Sequence, residues 1–255
     1  MLLVMDAGNT TTVVGVFDGE KLIGHWRLSS ILHTSDEFGV YLLTLLSTLS
    51  VKPADIDSAV LASVVPPLDA PICEAIRAYF GVGCLKVDAF TDTGMEVRYG
   101  APQEVGADRI VNAVAGCRKY GAPLIVADYG TAITLDVVSP DGAYLGGVIA
   151  PGLVTGIQAL FGRTAKVPQV GIELPPSVIG RNTSESVQAG VLFGNAGLTD
   201  CLVEKIREEL GVKARVVATG GHAALMASLS KTIECADPWL TLEGLRFIHE
   251  RNKNK

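Results

Sequence analysis

The chain has 255 residues, 48% of them hydrophobic and 19% charged, a globular composition that excludes disorder. Lys and Arg number 21 against 27 Asp and Glu, a net charge of −6, which argues against a nucleic-acid binder because such proteins carry a basic face. The length suits two domains of ~100–150 residues, and 28 glycines, above the usual ~7% share, point to many turns and ligand loops.

Leu2–Met5 reads as a buried strand and Thr11–Phe17 as a second, β-branched one. Asp18-Gly19 signals a hairpin into a strand through Leu22–Leu28. Thr34 or Ser35 caps a helix with Asp36 and Glu37 in its first turn, and Phe38, Leu42, Leu45 and Leu49 follow at helical spacing. A strand over Ala59–Val65 ends at Pro66-Pro67; a helix over Ile72–Phe80 and a strand near Leu85–Val87 come next. Asp108–Tyr120 is helical and closes at Gly121 and Pro123.

The opening pattern then returns. Leu2–Thr10 resembles Leu124–Ala132: a buried strand ends in Asp-x-Gly, then come a β-branched strand, an Asp-Gly turn and a third strand. Gly24 and Gly146 each stand 18 positions after their Asp. Two such units imply a duplicated domain. We place the boundary near Tyr120–Pro123, giving domains 1–120 and 121–255. Thr183–Leu210 is a long helix with Leu198, Leu202, Ile206 and Leu210 on one face. Gly190, Gly194 and Gly197 form a second line on it, suited either to a second subunit or to packing within the chain. Arg215–Ala218 is a strand leading into Thr219-Gly220-Gly221 and a helix; the tail from Arg251 is expected to fray.

Five cysteines, an odd number without a CxxC pair, argue against a disulfide framework or a cysteine zinc site. They suit a reducing cytosol, so a cytoplasmic location is expected. Asp6 interrupts the apolar start, so no signal peptide is read. No run approaches the ~18 apolar residues that span a bilayer.

GxxxxGK[ST] is absent, and Gly81-Val82-Gly83 lacks the third glycine of a dinucleotide fingerprint. The two Asp-x-Gly turns are the better phosphate candidates. Glycine exposes backbone N–H groups, Thr and Asn add neutral donors, and Asp recruits a cation. Two such turns facing each other, with Thr219-Gly220-Gly221 as a surface for a base, describe an ATP cleft. Singly, Asp6 and Asp128 suit plain turn caps equally well.

Asp6-Ala7-Gly8-Asn9-Thr10, Asp128-Tyr129-Gly130-Thr131-Ala132 and Thr219-Gly220-Gly221 resemble the two phosphate motifs and the adenosine motif of the actin/sugar-kinase ATPase superfamily. Gly106-Ala107-Asp108-Arg109, Gly147–Gly152 and Gly180–Ser184 narrow the resemblance to the type III pantothenate kinases, over residues 2 to about 228. Tyr129 stands where that family often has Phe.

The resemblance implies an α/β fold of duplicated actin-like (ribonuclease H-like) ATPase domains with an interdomain cleft. It implies transfer of phosphate from ATP to pantothenate, giving 4′-phosphopantothenate, the first step to coenzyme A. Asp108 becomes the base, and kinases generally use an Asp this way. Arg109 offers a planar fork to the pantothenate carboxylate, and Tyr99, Gly106, Ala107 and Thr183 join it in the substrate pocket. Asp6, Ala7, Gly8, Asn9, Thr10, Thr11, Thr12, Val13, Thr131, Gly220 and Gly221 are expected at ATP. Asp6 acts through a water-bound Mg²⁺, and Asp128 takes a monovalent cation, K⁺ or NH₄⁺. A homodimer is implied, with no nucleic-acid or membrane partner. For Asp108 the plain alternative is a first-turn helix acid, for Arg109 a surface residue, for Thr183 a helix start. Two rival functions remain: another small-molecule kinase of this fold, and a non-catalytic nucleotide-binding regulator.

Overall fold

The structure is a computed structural model that describes residues 1–163 and 170–253. Its chain forms two compact units. The first comprises Met1–Met95, Tyr99–Ala115 and Thr241–Lys255; the second comprises Glu96–Arg98 and Gly116–Leu240. The sequence places one boundary near 120–123, whereas the units part near 115/116 and again at 240/241, because the last helix belongs with the first unit.

In the first unit, β1 (Leu2–Ala7), β2 (Thr11–Asp18) and β3 (Lys21–Ser29) make an antiparallel meander. After α1 (Ser35–Ser47), β4 (Ser58–Ser63) adds parallel to β1. After α2 (Pro66–Phe80), β5 (Cys84–Lys86) adds parallel to β4. The sheet order is β3-β2-β1-β4-β5. Thr34 caps α1 through a full capping box with Glu37, as the Thr-x-x-Glu spacing predicts. α2 starts at Pro66 rather than at the predicted Ile72, six residues earlier. Pro66 and Pro67 open it, because the first turn has no carbonyl partner for the missing N–H.

Alternation along the strands divides their side chains between two faces. Leu3, Met5, Val14, Val16 and Leu61 pack with Phe38, Leu42 and Leu46 of α1 and Leu68, Ile72 and Ile76 of α2. On the other face, Gly15 leaves room for Leu242 of α7 (Leu240–Asn252). Gly244 of α7 likewise lets the helix close on the backbone of Val111 in α3 (Ala107–Tyr120). Helix α7 was not foreseen. Arg251 and Asn252 stay helical and bond to Asp92, so the tail does not fray there; Asn254 and Lys255 lie outside the described residues.

The second unit repeats the plan. β6 (Leu124–Tyr129), β7 (Ala132–Val138) and β8 (Tyr144–Pro151) form the meander. Then α4 (Leu153–Arg163) and α5 (Thr183–Leu210) lead to β9 (Arg215–Thr219), parallel to β6. Helix α6 (Ala223–Leu229) leads to β10 (Cys235–Ala236), parallel to β9, for an order β10-β9-β6-β7-β8. Both meanders also carry a register shift just beside Gly24 and Gly146, respectively. A bulge retained at the same place is a detail that chance similarity of two buried strands does not produce.

Helix α5 corrects two expectations. Its most buried line is Leu192, Ala196, Thr199 and Val203, while Leu202, Ile206 and Leu210 pack at its edge. Gly190, Gly194 and Gly197 are exposed, with open space where a side chain would stand. Among the described residues, nothing in the chain packs against them.

Candidate active site

The first turn joins β1 to β2. The Gly8 N–H donates to the Thr11 carbonyl at 3.2 Å, and the Thr10 carbonyl accepts from Ser30 N–H at 3.0 Å. This leaves Asn9 and Thr10 exposed and Asp6 half-buried at the end of β1. Thr12 is turned inward from the exposed tip of this turn. It has no exposed surface, and its hydroxyl pairs with Ser30 Oγ at 2.9 Å, so it supports the turn from beneath. Ala7 is likewise buried, its carbonyl accepting the Val64 N–H at 3.0 Å.

The second turn is one residue shorter, because Tyr129 pairs with Ile133 where Ala7 pairs with Thr12. Gly130 N–H donates to the Ala132 carbonyl at 3.0 Å. The Thr131 carbonyl accepts from Gly152 N–H at 3.1 Å and from Thr155 Oγ at 2.7 Å. A side chain on Gly152 would collide with the carbonyls of Gly130 and Thr131. One on Gly147 would collide with the Leu135 carbonyl. Thus Gly147–Gly152 is a buttress for the second turn. Thr131 itself is exposed.

Asp128 lies in register with Thr134 on one side and Thr219 on the other. Asp6 has Val13 and Ala62 in the same places. The second carboxylate therefore stands in a row of hydroxyls and the first does not. Thr219 Oγ is buried without a hydrogen-bond partner, an oxygen donor that fits a bound monovalent cation beside Asp128. Gly220, at φ 91°, approaches Asp128 and the Tyr129 carbonyl so closely that any side chain would collide with both. The adenosine motif and the second phosphate motif are thus packed together. Gly221 is exposed. Among the described residues no group of three or more His, Cys, Asp or Glu side chains is placed to hold a metal. The residues present fit a Mg²⁺ carried by one carboxylate, water and phosphates, its usual manner in kinases.

Asp108 and Arg109 begin α3. Asp108 Oδ1 accepts the Arg109 backbone N–H at 2.8 Å, and burial pushes its carboxyl above the usual range despite that bond. Gly106 lies against the Asp108 carboxylate and Val64, where a side chain would collide with the carboxylate. Arg109 is buried, 9% exposed, which rules out the plain surface reading. Tyr99 is exposed. It follows Glu96–Arg98, which is fixed to β8 by Arg98 N–H to the Tyr144 carbonyl and Tyr144 N–H to the Glu96 carbonyl, both 2.8 Å. Thr183 is exposed at the first turn of α5, whose cap is Asn182. Glu185 carries the cap by accepting from Arg181 N–H at 2.7 Å and Asn182 Nδ2 at 2.8 Å.

One buried acid escaped the sequence reading. Asp136 in β7 has no exposed surface and accepts from Tyr144 Oη at 2.8 Å and Thr134 Oγ at 2.9 Å. The signal was present: an Asp inside the apolar run Ile133–Val138, two positions after a Thr on the same face.

The Type III pantothenate kinase family model matches residues 2–205. The chain belongs to the type III pantothenate kinase family. It is 47% identical over 253 residues to the Type III pantothenate kinase of Myxococcus xanthus, covering 99% of each chain. The enzyme of Finegoldia magna is 46% identical over 258 residues, covering 100% of this chain and 98% of that one. Among solved structures, the Clostridium difficile activator of 2-hydroxyisocaproyl-CoA dehydratase, with bound ADPNP, superposes with TM-score 0.53 at 12% identity. It covers 100% of this kinase and 97% of that protein. A Campylobacter jejuni protein described as a Baf family transcriptional activator gives 0.62 at 19%, covering 99% and 100%. These two speak for the fold alone. The kinase has the duplicated actin-like ATPase fold.

Proposed function

We propose that the protein transfers the γ-phosphate of ATP to pantothenate, forming 4′-phosphopantothenate, the entry step to coenzyme A. The observation that carries this is family membership over nearly the whole chain, with Asp108 and Arg109 together at the start of α3. A primary alcohol ionises far above neutrality, so a carboxylate in hydrogen-bond reach takes its proton as the new bond to phosphorus forms. Burial suits Asp108 to this role, since a raised carboxyl is a stronger base than an exposed one. Arg109 pairs with the pantothenate carboxylate, and Tyr99, Gly106, Ala107 and Thr183 shape the acceptor site.

ATP is held without a lysine or arginine in either turn. Gly8 lets the turn approach the phosphates, backbone N–H groups of Asn9 and Thr10 and the side chains of Asn9, Thr10, Thr11 and Thr131 contact them, and Gly220 and Gly221 leave room for the base. Mg²⁺, held by Asp6 through water, supplies charge neutralisation at the phosphates. Asp128 with Thr219 holds K⁺ or NH₄⁺. The exposed glycine line of α5 supports a homodimer, because glycines let a second backbone approach closely. Among the described residues no helix is long and apolar enough to cross a membrane, and we place the enzyme in the cytoplasm.

An ADP-release assay with pantothenate, hexoses and acetate tests the reading. Turnover is expected with pantothenate and not with the others. Turnover on another alcohol without pantothenate activity rejects it in favour of a related kinase, and ATP binding without any turnover favours a regulator.

A further inference from the structure

Asp136 is a buried carboxylate to which no role has been given. Both of its oxygens are engaged: Oδ1 accepts from Tyr144 Oη at 2.8 Å and Oδ2 from Thr134 Oγ at 2.9 Å. Burying a carboxylate is unfavourable, and a neutral amide in its place would also bond to two hydroxyls. The difference is one of direction. An ionised carboxylate only accepts, whereas an amide donates through its nitrogen. Asp136 therefore draws the hydrogens of both hydroxyls to itself. A hydroxyl has one hydrogen and two lone pairs, so the Thr134 oxygen is left able only to accept.

Strand register says where that oxygen stands. Thr134 pairs with Asp128 across β6 and β7, and Thr219 pairs with Asp128 across β6 and β9. Ala127, Tyr129, Ile133, Leu135 and Ala218 belong to the core of the second unit. By alternation Asp128, Thr134, Asp136 and Thr219 share the opposite face. Residues directly opposite in an antiparallel pair have Cβ atoms about 5 Å apart. Asp128 is thus flanked by two hydroxyl oxygens. One is Thr219 Oγ, buried without a hydrogen-bond partner; the other is Thr134 Oγ, whose hydrogen is committed to Asp136.

We propose that the Thr134 hydroxyl oxygen is a further ligand of the monovalent cation at Asp128, and that Asp136 is the residue that positions it. The inference rests on the reading of Asp128 as the cation site. Thr134 lends its lone pairs to K⁺, or accepts a hydrogen bond from NH₄⁺, and Asp136 keeps the hydroxyl hydrogen from turning toward the cation. Asp136 acts through Thr134, as outer partners of metal ligands do. Tyr144 holds the other oxygen of the acid and does not reach the cation.

The test follows the melting temperature of the full chain, with Mg²⁺ and a non-hydrolysable ATP analogue, as KCl replaces choline chloride at constant ionic strength. The K⁺ concentration giving half of the stabilisation is the readout, and half-maximal activation of ADP release is its counterpart in turnover. Thr134→Val should raise both at least about tenfold, whereas Thr134→Ser, which keeps the hydroxyl, should stay within about twofold of the parent. Tyr144→Phe should lower the melting temperature without K⁺ but leave the K⁺ midpoint within about twofold. Asp136→Val combined with Tyr144→Phe, so that no tyrosine hydroxyl is stranded, should raise the midpoint at least about tenfold. Added to Thr134→Val, that pair should give no more than about a further twofold, because it acts through the group already removed. An unchanged midpoint in Thr134→Val overturns the proposal, and so does a shift by the Asp136→Val pair that multiplies with that of Thr134→Val. Circular dichroism identifies folded variants; where the Asp136→Val pair does not fold, Thr134→Val against Thr134→Ser decides. A parent without K⁺ stabilisation, or stabilisation retained in Asp128→Ala, overturns the cation reading and this inference together. Stabilisation lost in Asp128→Ala but kept in Thr134→Val overturns this inference alone.

Discussion

Asp108, the proposed base, lies where burial for that role opposes stability. Its carboxyl is raised in the folded chain by burial. The folded state therefore holds the proton more tightly than the unfolded state. The associated stability is fully present below the unfolded carboxyl range and is lost as pH rises through the folded value. Asp108→Asn removes that loss. We expect kcat to fall about 10²–10⁴-fold while the Tm advantage over the parent grows from pH 4 to pH 8. Near-normal turnover would remove Asp108 as the base, and a pH-independent Tm difference would refute the burial argument. Asp128→Ala should abolish activation by K⁺ or NH₄⁺ in a cation titration; unchanged activation would place the cation elsewhere. Tyr129, where the family often has Phe, is buried with its hydroxyl 2.7 Å from Thr199 Oγ. Tyr129→Phe strands that Thr199 oxygen and should cost roughly 1–3 kcal/mol in urea unfolding. Adding Thr199→Val should recover part of the loss, because it removes the stranded group.

At the scale of elements, glycines of identical composition have opposite uses. Gly152 lies under the Gly130 and Thr131 carbonyls, so Gly152→Ala must displace the second turn. It should raise KM for ATP about tenfold or more with little effect on folding, read by steady-state kinetics. Gly194 faces open space on α5. Gly194→Ala should stabilise the helix by up to about 1 kcal/mol if the line is free, and should weaken the dimer if a partner backbone lies there. Sedimentation velocity at several concentrations separates these outcomes. Most of the elements were legible beforehand, since β1, β2, α1, α5 and β9 follow from periodicity, capping residues and glycine stops. The start of α2 was hidden, because two prolines read as a break and also as a first helical turn. The depth of α5 was hidden as well. Its leucines suggest one buried line, yet the tighter approach to the sheet is made by Ala196, Thr199 and Val203, small residues whose burial no hydropathy pattern announces.

The whole chain is two similar sheets of the same strand order, and that much was written in the repeated strand, Asp-x-Gly and hairpin. The repeat also identified Asp6, Asp128 and the glycine turns, because motifs of this kind are contiguous in sequence. A contiguous motif does not say which of its residues faces inward, and alternation buried Thr12. What the sequence determined by itself was local: element types, turns, caps, the duplication and the family. Tertiary structure alone decided which distant residues meet. It set Thr219 beside Asp128 across β6 and β9, and Gly152 beneath Thr131. It also sent α7 back to the first unit. The physical reason is that hydrogen bonding and periodicity act over a few residues. Strand pairing and burial join segments a hundred residues apart and more, through register and shape that no short stretch of sequence contains.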